Sequence, residues 1–181
     1  MPRVGGVKSC EATASGAESR PDDVDAIVTA WQRERPDLDV DPLHVLSRVT
    51  RLARRLDQAR AQAFAAHHLE PWEFDVLSAL RRVGPPYQLS PGQLIEETLV
   101  TSGTMTNRVD RLQQRGLVAR RPSPRDRRGV IVRLTAAGRR SVDGALETLL
   151  AHEHETLGAL SPTDRATLTN LLRRLHPHLE P

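Results

Sequence analysis

Apolar residues recur at helical spacing along most of the chain. Val24, Ile27, Val28 and Trp31 fall at positions i, i+3, i+4 and i+7, the pattern of one buried helix face. This spacing, with Pro near helix starts and Gly or Pro after helix ends, predicts helices over most of the sequence. They cover residues 22–35, 42–64, 71–83, 93–98, 102–115, 135–157 and 161–175.

Two short segments in the middle of the chain have the composition of strands. Residues 117–121 and 130–134 flank the sequence Pro-Ser-Pro-Arg-Asp-Arg-Arg-Gly, which predicts a β-hairpin with a basic tip. The hairpin directly follows two helices that are joined by a turn at 99–101. This order is typical of a winged helix-turn-helix, whose second helix enters the major groove of DNA while the hairpin reaches a minor groove. The predicted fold is mainly α with a small β-hairpin wing.

The second helix of this unit carries polar side chains that suit base edges and phosphates. Once an apolar stripe takes its inner face, the groups left to face outward or sideways are Ser102, Thr104, Thr106, Asn107 and Arg111. An ordinary solvated helix face would have similar residues. The hairpin favours DNA binding, because Arg125, Arg127 and Arg128 repel one another at its tip unless an anion compensates their charge.

Composition limits the class of protein. Apolar residues make up 38% of the 181 residues, which is enough for a core, and no run approaches the ~18–20 apolar residues of a membrane span. The first twenty residues lack the apolar segment of a secretory signal, so we expect a cytoplasmic protein with no membrane partner. Cys10 is the only cysteine, which excludes a disulfide framework and a cysteine-rich zinc site.

No sequence motif indicates an enzyme. The chain has neither a glycine-rich nucleotide-binding motif nor a nucleophile elbow, so we predict no catalytic residue, no metal site and no cofactor. Histidines at 152 and 154, two residues apart on a predicted helix, point to different faces. A histidine-metal enzyme, or a winged-helix module that does not read DNA, remains as an alternative.

The hairpin motif resembles that of the MarR (multiple antibiotic resistance regulator) family. Asp126, Arg128, Gly129 and then Leu134 with Thr135 match its signature, and the resemblance extends over roughly residues 42–175. It implies an obligate homodimer, built from the first and last helices, that binds a pseudo-palindromic duplex and usually represses nearby genes. It also implies that Asp126 orients the wing and that Arg128 enters the minor groove.

Asp75 is an unusual residue in the third predicted helix, since its helical neighbours are largely apolar. A buried carboxylate needs a partner, and Arg108, between two core positions of the second DNA-binding helix, could supply one. Such an ion pair would tie the scaffold to the recognition helix. From the sequence alone, a purely structural ion pair or two independently exposed residues is the favoured interpretation.

The extra N-terminal helix resembles the PecS-type, urate-responsive branch of the family. Trp31, Asp75, Arg108 and Arg120 match that branch in order and context, although Arg121 could replace Arg120 and Trp31 could simply pack in a core. The resemblance implies a small anionic effector, urate or a related purine, that stacks on Trp31 and binds the two arginines. Another aromatic or phenolic anion is the alternative.

These patterns predict one MarR-like domain over residues 21–181, preceded by a disordered tail at 1–20 that is rich in Gly, Ser and Ala. Residues 71–135 form the DNA-binding lobe in this scheme. Residues 21–70 and 136–181 supply the dimerisation helices.

Overall fold

The computed structural model describes residues 20–122 and 129–178. Within these ranges the fold is mainly helical with a small antiparallel sheet, so the predicted winged helix-turn-helix is confirmed. The helices are α1 (Asp23–Glu34), α2 (Pro42–Ala65), α3 (Pro71–Arg82), α4 (Pro91–Thr98), α5 (Ser102–Gln114), α6 (Ala136–Leu157) and α7 (Pro162–Leu175), with a 3-10 turn at His176–His178. The strands are β1 (Gln88–Leu89), β2 (Val118–Pro122) and β3 (Val130–Leu134).

The described residues divide into two compact units, one up to Leu52 and one from Ala53 onward, with the boundary inside α2. In the first unit, Val24 and Val28 of α1 are buried together with Val40. Asp22 caps α1 by accepting a hydrogen bond from the backbone N–H of Val24 at 2.8 Å. Arg48 of α2 donates to the carboxylates of Asp22 and Asp25, at 2.9 and 2.8 Å, and holds the pKa of both below the usual range.

The second unit has one continuous core. Phe64 of α2 stacks on Phe74 of α3 with ring centroids 4.0 Å apart. Met105, Val109 and Leu112, at i, i+4 and i+7, turn one face of α5 into this core, as their spacing predicted. Two leucines of α3, Leu94 of α4, valines of the sheet and apolar residues of α6 also belong to it.

The sheet has the strand order β1-β3-β2. The predicted hairpin is confirmed: β2 and β3 pair from Val118 opposite Leu134 to Pro122 opposite Val130. Sequence reasoning missed β1, which adds Leu89 opposite Val132 to the other edge of β3. A strand of two residues is too short for its periodicity to be detected.

The turn between α4 and α5 has an unusual conformation. Leu99 ends α4 with φ of 52°, in the left-handed region, and its side chain is 92% exposed. Thr101 then caps α5 by accepting from the backbone N–H of Thr104. Gly116, with φ of 69°, ends α5 in the conformation that glycine adopts without a Cβ penalty.

The start of α6 lies directly against the hairpin. Thr135 caps this helix, as predicted, by accepting from the backbone N–H of Gly138 at 3.0 Å, and its own N–H bonds the carbonyl of Leu117 at 3.1 Å. Gly138 is buried here, and a Cβ added to it would overlap the same Leu117 carbonyl. Farther along α6, Asp143 accepts from Arg81 of α3 at 2.7 Å.

Much of the apolar surface on α6 and α7 is exposed. Leu146, Leu150 and Leu157 of α6 are each about 40% exposed. No residue of α7 is buried, although Leu168, Leu171, Leu172 and Leu175 form an apolar stripe along it. Within the part of the chain that the structure describes, this leucine surface has no covering element.

Substituting Gly138→Ala is expected to lower the free energy of unfolding by about 3 kcal/mol, because the new methyl group meets backbone rather than a movable side chain. The matched variant Gly144→Ala meets only the ring of His67 and should lose about 1 kcal/mol or less. Urea unfolding of both variants measures the difference. A loss for Gly138→Ala of about 1 kcal/mol or less would show that α6 can shift away from Leu117 at little cost.

Candidate nucleic-acid interface and effector site

The polar side chains expected to contact DNA lie along the exposed side of α5. Ser102, Thr104, Thr106, Asn107 and Arg111 are all exposed. The Thr104 hydroxyl bonds that of Thr101 at 2.9 Å, and the Thr106 hydroxyl donates to the Ser102 carbonyl at 3.1 Å. Each hydroxyl keeps capacity to accept from a base edge or bridging water. The N-terminal half of α5 therefore presents a row of short hydrogen-bonding groups.

The tip of the wing lies outside the described residues. This applies to Arg125, Asp126, Arg127 and Arg128, whose predicted contacts with DNA stay predictions. The paired strands leading into the tip are described, and β2 enters it from the C-terminal end of α5. The hairpin and recognition helix are thus adjacent, as a winged helix-turn-helix requires.

Arg111 does not point only toward solvent. Its Nη2 lies 3.3 Å from Oε1 of Glu70, and its guanidinium carbon lies 4.8 Å from the ring centroid of Trp72. Glu70 also accepts a hydrogen bond from the indole Nε1 of Trp72. Both charged side chains remain more than half exposed. Arg111 is therefore held at the N-terminus of α3 by contacts that water screens.

Arg108 and Asp75 do not form the expected ion pair. The guanidinium of Arg108 lies over Trp72, 5.6 Å from the ring centroid, and Arg108 is half-buried. Asp75 is exposed and lines a shallow surface pocket of about 210 Å³ with Ser78 and Arg82 of α3 and the end of α4. The apolar neighbours of Asp75 along the sequence occupy the other side of α3, which leaves its carboxylate in water. In the structure, Asp75 and Arg108 are therefore placed independently of each other.

Arg120 is the better placed of the two candidate arginines on β2. It is half-buried, whereas Arg121 is exposed, as strand alternation requires. Its Nη1 forms an ion pair with Asp110 of α5 and lies 3.3 Å from Oε1 of Gln113. Arg120 therefore joins the first wing strand to the recognition helix. No hydrogen bond or ion pair connects Asp75, Arg108 and Arg120 within residues 20–122 and 129–178.

Trp31 lies on α1 in the first unit, and its side chain is 48% exposed. Val24 and Val28 of the same helix are almost fully buried, so the apolar stripe of α1 is buried at its N-terminal end and open toward Trp31. The core-packing role considered for this residue is not observed. An indole with this exposure has surface available for stacking on a planar molecule.

The strongest link between α5 and its scaffold was missed from the sequence. Glu73 of α3 is 1% exposed, and its carboxylate accepts from the backbone N–H of Glu70 at 3.0 Å and forms an ion pair with Arg115. Arg115, which ends α5, also donates to the carbonyl of His68 at 2.6 Å. The expected scaffold contact therefore exists, but it joins Glu73 to Arg115 instead of Asp75 to Arg108. The available signal was a Glu at a core position, with Leu77 and Leu80 at i+4 and i+7.

Neither a metal site nor a membrane segment is found in the described ranges. No group of three or more His, Cys, Asp or Glu side chains there could hold a metal ion. The helices formed by these residues are too short or too polar to cross a membrane.

Comparison with known proteins gives consistent results. A model described as the MarR family matches residues 67–129. The sequence is 37% identical over 157 residues to the HTH-type transcriptional regulator PecS of Dickeya dadantii, covering 87% of this chain and 95% of that protein. A match of this length extends well beyond the DNA-binding lobe.

Two solved structures extend the comparison. A mutant form of MarR from E. coli, complexed with operator DNA, matches with a TM-score of 0.62 at 26% identity, covering 76% of this chain and 99% of that one. Bordetella bronchiseptica BpsR, whose DNA binding is regulated by 6-hydroxynicotinic acid, matches with a TM-score of 0.55 at 31% identity, covering 71% and 98%.

Replacing Arg115 with Met is expected to lower the free energy of unfolding by about 3 kcal/mol, because the buried Glu73 carboxylate loses its counter-charge. Glu73→Gln should lose less, about 1 kcal/mol, since the Arg115 side chain is 40% exposed and can turn to water. Arg121→Met, which removes an exposed arginine, is the matched control and should change stability by less than about 0.5 kcal/mol. Chemical denaturation that finds Arg115→Met as stable as Arg121→Met would contradict the assigned role.

Proposed function

The chain belongs to the MarR family of transcriptional regulators, and from this premise we propose that it is a repressor that binds a pseudo-palindromic duplex as a homodimer and is released by urate or a related purine anion. The main observation in support of DNA binding is the row of exposed polar side chains on α5 beside the β2–β3 hairpin. An α-helix fits the major groove, and a hairpin next to it reaches the adjacent minor groove. The DNA complex of the MarR relative supports this assignment.

The residues proposed to contact DNA divide into two groups. Ser102, Thr104, Thr106, Asn107 and Arg111 would contact bases and phosphates from α5. Arg125, Asp126, Arg127 and Arg128 would act from the wing, where the family resemblance assigns Asp126 to orientation and Arg128 to the minor groove. Because arginine contacts with phosphate release counterions, binding should weaken steeply with added salt.

A second copy of the chain is the proposed partner for the leucine surface on α6 and α7. Leu171 and Leu172, each 48% exposed, lie on a helix of which no residue is buried. An apolar stripe on a long exposed helix is typical of an interface rather than of a solvated surface. A symmetric dimer would place two recognition helices about one DNA turn apart, which matches a pseudo-palindromic duplex.

Arg108 and Arg120 are the proposed anchors for the anionic effector. Arg108 contacts an aromatic ring instead of a carboxylate in the described residues, so an anion could bind it by charge-assisted hydrogen bonds. Arg120 is already paired with Asp110 of α5. An anion at Arg120 would compete with Asp110 and loosen the contact between β2 and the recognition helix. Asp75 and Trp31 complete the set by resemblance, Asp75 as the acid that the anion would repel and Trp31 as the stacking surface.

The physical condition for release is differential binding. The effector must bind more tightly to the conformation that does not fit DNA, and DNA must then weaken effector binding by the same factor. Loosening β2 from α5 changes the relative placement of wing and helix, which both need to reach their grooves together. An effector that binds both conformations equally would not change occupancy of the DNA.

A second effector class is favoured by the similarity to BpsR, which is regulated by 6-hydroxynicotinic acid. Like urate, this molecule is planar and can carry a negative charge. A single guanidinium, that of Arg108 or of Arg120, would bind its carboxylate as a bidentate pair. The choice between a purine and an aromatic acid therefore depends on measurement of the response to each.

The expected result of a gel-shift titration with the DNA upstream of the protein's own gene is tight, salt-sensitive binding that urate releases. Asp75→Asn and Trp31→Ala should still bind this DNA but need a roughly tenfold higher urate concentration for release. Trp31→Ala removes the stacking surface, and Asp75→Asn removes the repulsion that would link the anion to a conformational change. Parallel titration with 6-hydroxynicotinic acid separates the two effector classes.

Each part of the proposal has its own contradicting outcome. DNA binding that neither compound affects would refute the effector and leave the regulator. A wild-type urate response in both variants would refute the assignment of Asp75 and Trp31. Absence of binding to the upstream DNA and to random duplexes at low salt would refute DNA reading.

Leu172→Glu is expected to convert the dimer to a monomer, because it places a charge in the leucine surface that the partner should cover. Asn170→Glu adds the same charge to the opposite side of α7 and should remain dimeric. Light scattering after size-exclusion chromatography gives the mass of each. If both variants have the mass of the wild type, α7 is not the dimer interface.

A further inference from the structure

The guanidinium of Arg111 makes two contacts with α3 and the residue before it. Glu70 approaches its Nη2 at 3.3 Å, and Trp72 lies under its guanidinium carbon at 4.8 Å. Arg111 is also one of the side chains proposed above to contact DNA. A phosphate and a carboxylate present the same kind of acceptor to a guanidinium, so both compete for the same donors.

Glu70 is held in position to act as this competitor. It is the residue that precedes α3, and its backbone N–H is bonded by the buried carboxylate of Glu73 at 3.0 Å. One of its own carboxylate oxygens accepts from the indole Nε1 of Trp72, which leaves the other for Arg111. The indole and the carboxylate thus form one site for a guanidinium, at the edge of the recognition helix.

We propose that Glu70 competes with DNA phosphate for Arg111, and that Trp72 is the platform that keeps the guanidinium beside Glu70 when DNA is absent. This inference rests on the proposed binding of DNA through α5. It assigns to Glu70 a role in setting the affinity for DNA. The wild-type protein binds DNA only as Arg111 exchanges its contact with Glu70 for a contact with phosphate. Glu70 then carries an uncompensated negative charge close to the DNA backbone.

The exposure of the pair makes this exchange feasible. Arg111 and Glu70 are 59% and 57% exposed, so their interaction is screened by water and is weak compared with that of the buried Glu73 carboxylate with Arg115. A weak contact can be broken by a phosphate without disturbing the fold. Removing it should tighten DNA binding by roughly two- to fivefold, the range that exposed ion pairs span.

A double-mutant cycle on the full chain tests this role. Glu70→Gln keeps the side chain's size and its ability to accept from Trp72, and Arg111→Gln removes the guanidinium. Fluorescence anisotropy with labelled DNA from upstream of the protein's own gene gives the Kd of wild type, both single variants and the double variant. The matched control is Glu96→Gln, which removes an exposed carboxylate on α4 that forms no ion pair with any described residue.

Glu70→Gln is expected to bind roughly two- to fivefold more tightly than wild type, to lose this gain in the Arg111→Gln background, and to exceed Glu96→Gln. Glu70→Asp, which keeps the charge but withdraws the carboxylate by one methylene, should also bind more tightly. These variants change no buried side chain, and thermal melting checks that each is folded.

Three results would overturn the inference while leaving DNA reading intact. They are an unchanged Kd for both Glu70 variants, an equal gain in Glu96→Gln, and a gain of Glu70→Gln that persists without Arg111. The last two would show a general effect of negative charge instead of competition for one side chain. Failure of the wild type to bind DNA would overturn the proposed function and this inference together.

Discussion

The placement of the recognition helix depends on one buried carboxylate. Glu73 is almost fully removed from water, so its charge is tolerated only because Arg115 and a backbone N–H reach it. The same arginine holds the carbonyl of His68, in the turn between α2 and α3. One guanidinium therefore joins the end of α5, the start of α3 and the turn before it. The C-terminal end of α5 is fixed, and its N-terminal end is left to approach a ligand.

Charged side chains of α5 contact neighbouring elements on both flanks of the helix. On one side Arg108, Arg111 and Arg115, at i, i+3 and i+7, lie against the N-terminus of α3. On the other side Asp110 binds Arg120 of β2. The α3 flank ranges from the buried Glu73 carboxylate at Arg115 to screened contacts at Arg111, so its hold on α5 weakens toward the N-terminal end of the helix. A ligand that acts on either flank can change how the helix is presented without unfolding it.

Most of the fold could be predicted from the sequence because helix periodicity and capping residues are local signals. The seven helices and the hairpin of the described ranges begin and end within a few residues of their predicted bounds. β1 was missed because two residues carry no period. The outward residues of α5 were also predictable, since a buried stripe defines the opposite face.

The contacts between elements were less predictable. Both Glu73 and Asp75 lie in α3, and sequence reasoning chose Asp75, although the spacing of Glu73 to Leu77 and Leu80 marks Glu73 as the inward acid. Which arginine of α5 reaches that acid depends on how α3 and α5 cross. The pattern of residues within one helix does not determine this crossing. Trp72 contacts two of these arginines for the same reason. The wing tip and Trp31 keep only the roles that resemblance gives them.

The capped start of α6 has a consequence for how the sequence of this helix can vary. Thr135 and Gly138 fix the helix to the wing at one end, and Leu146, Leu150 and Leu157 lie along its remaining length, in a helix of about 33 Å. An α-helix turns by about 100° per residue, so inserting a single residue between these two parts would rotate the leucines away from their present side. The contacts between the first turn of α6 and the wing therefore determine toward which side of the helix the leucines point. Between these two parts, α6 can therefore change in length only by about whole turns if the leucines are to stay on their present side.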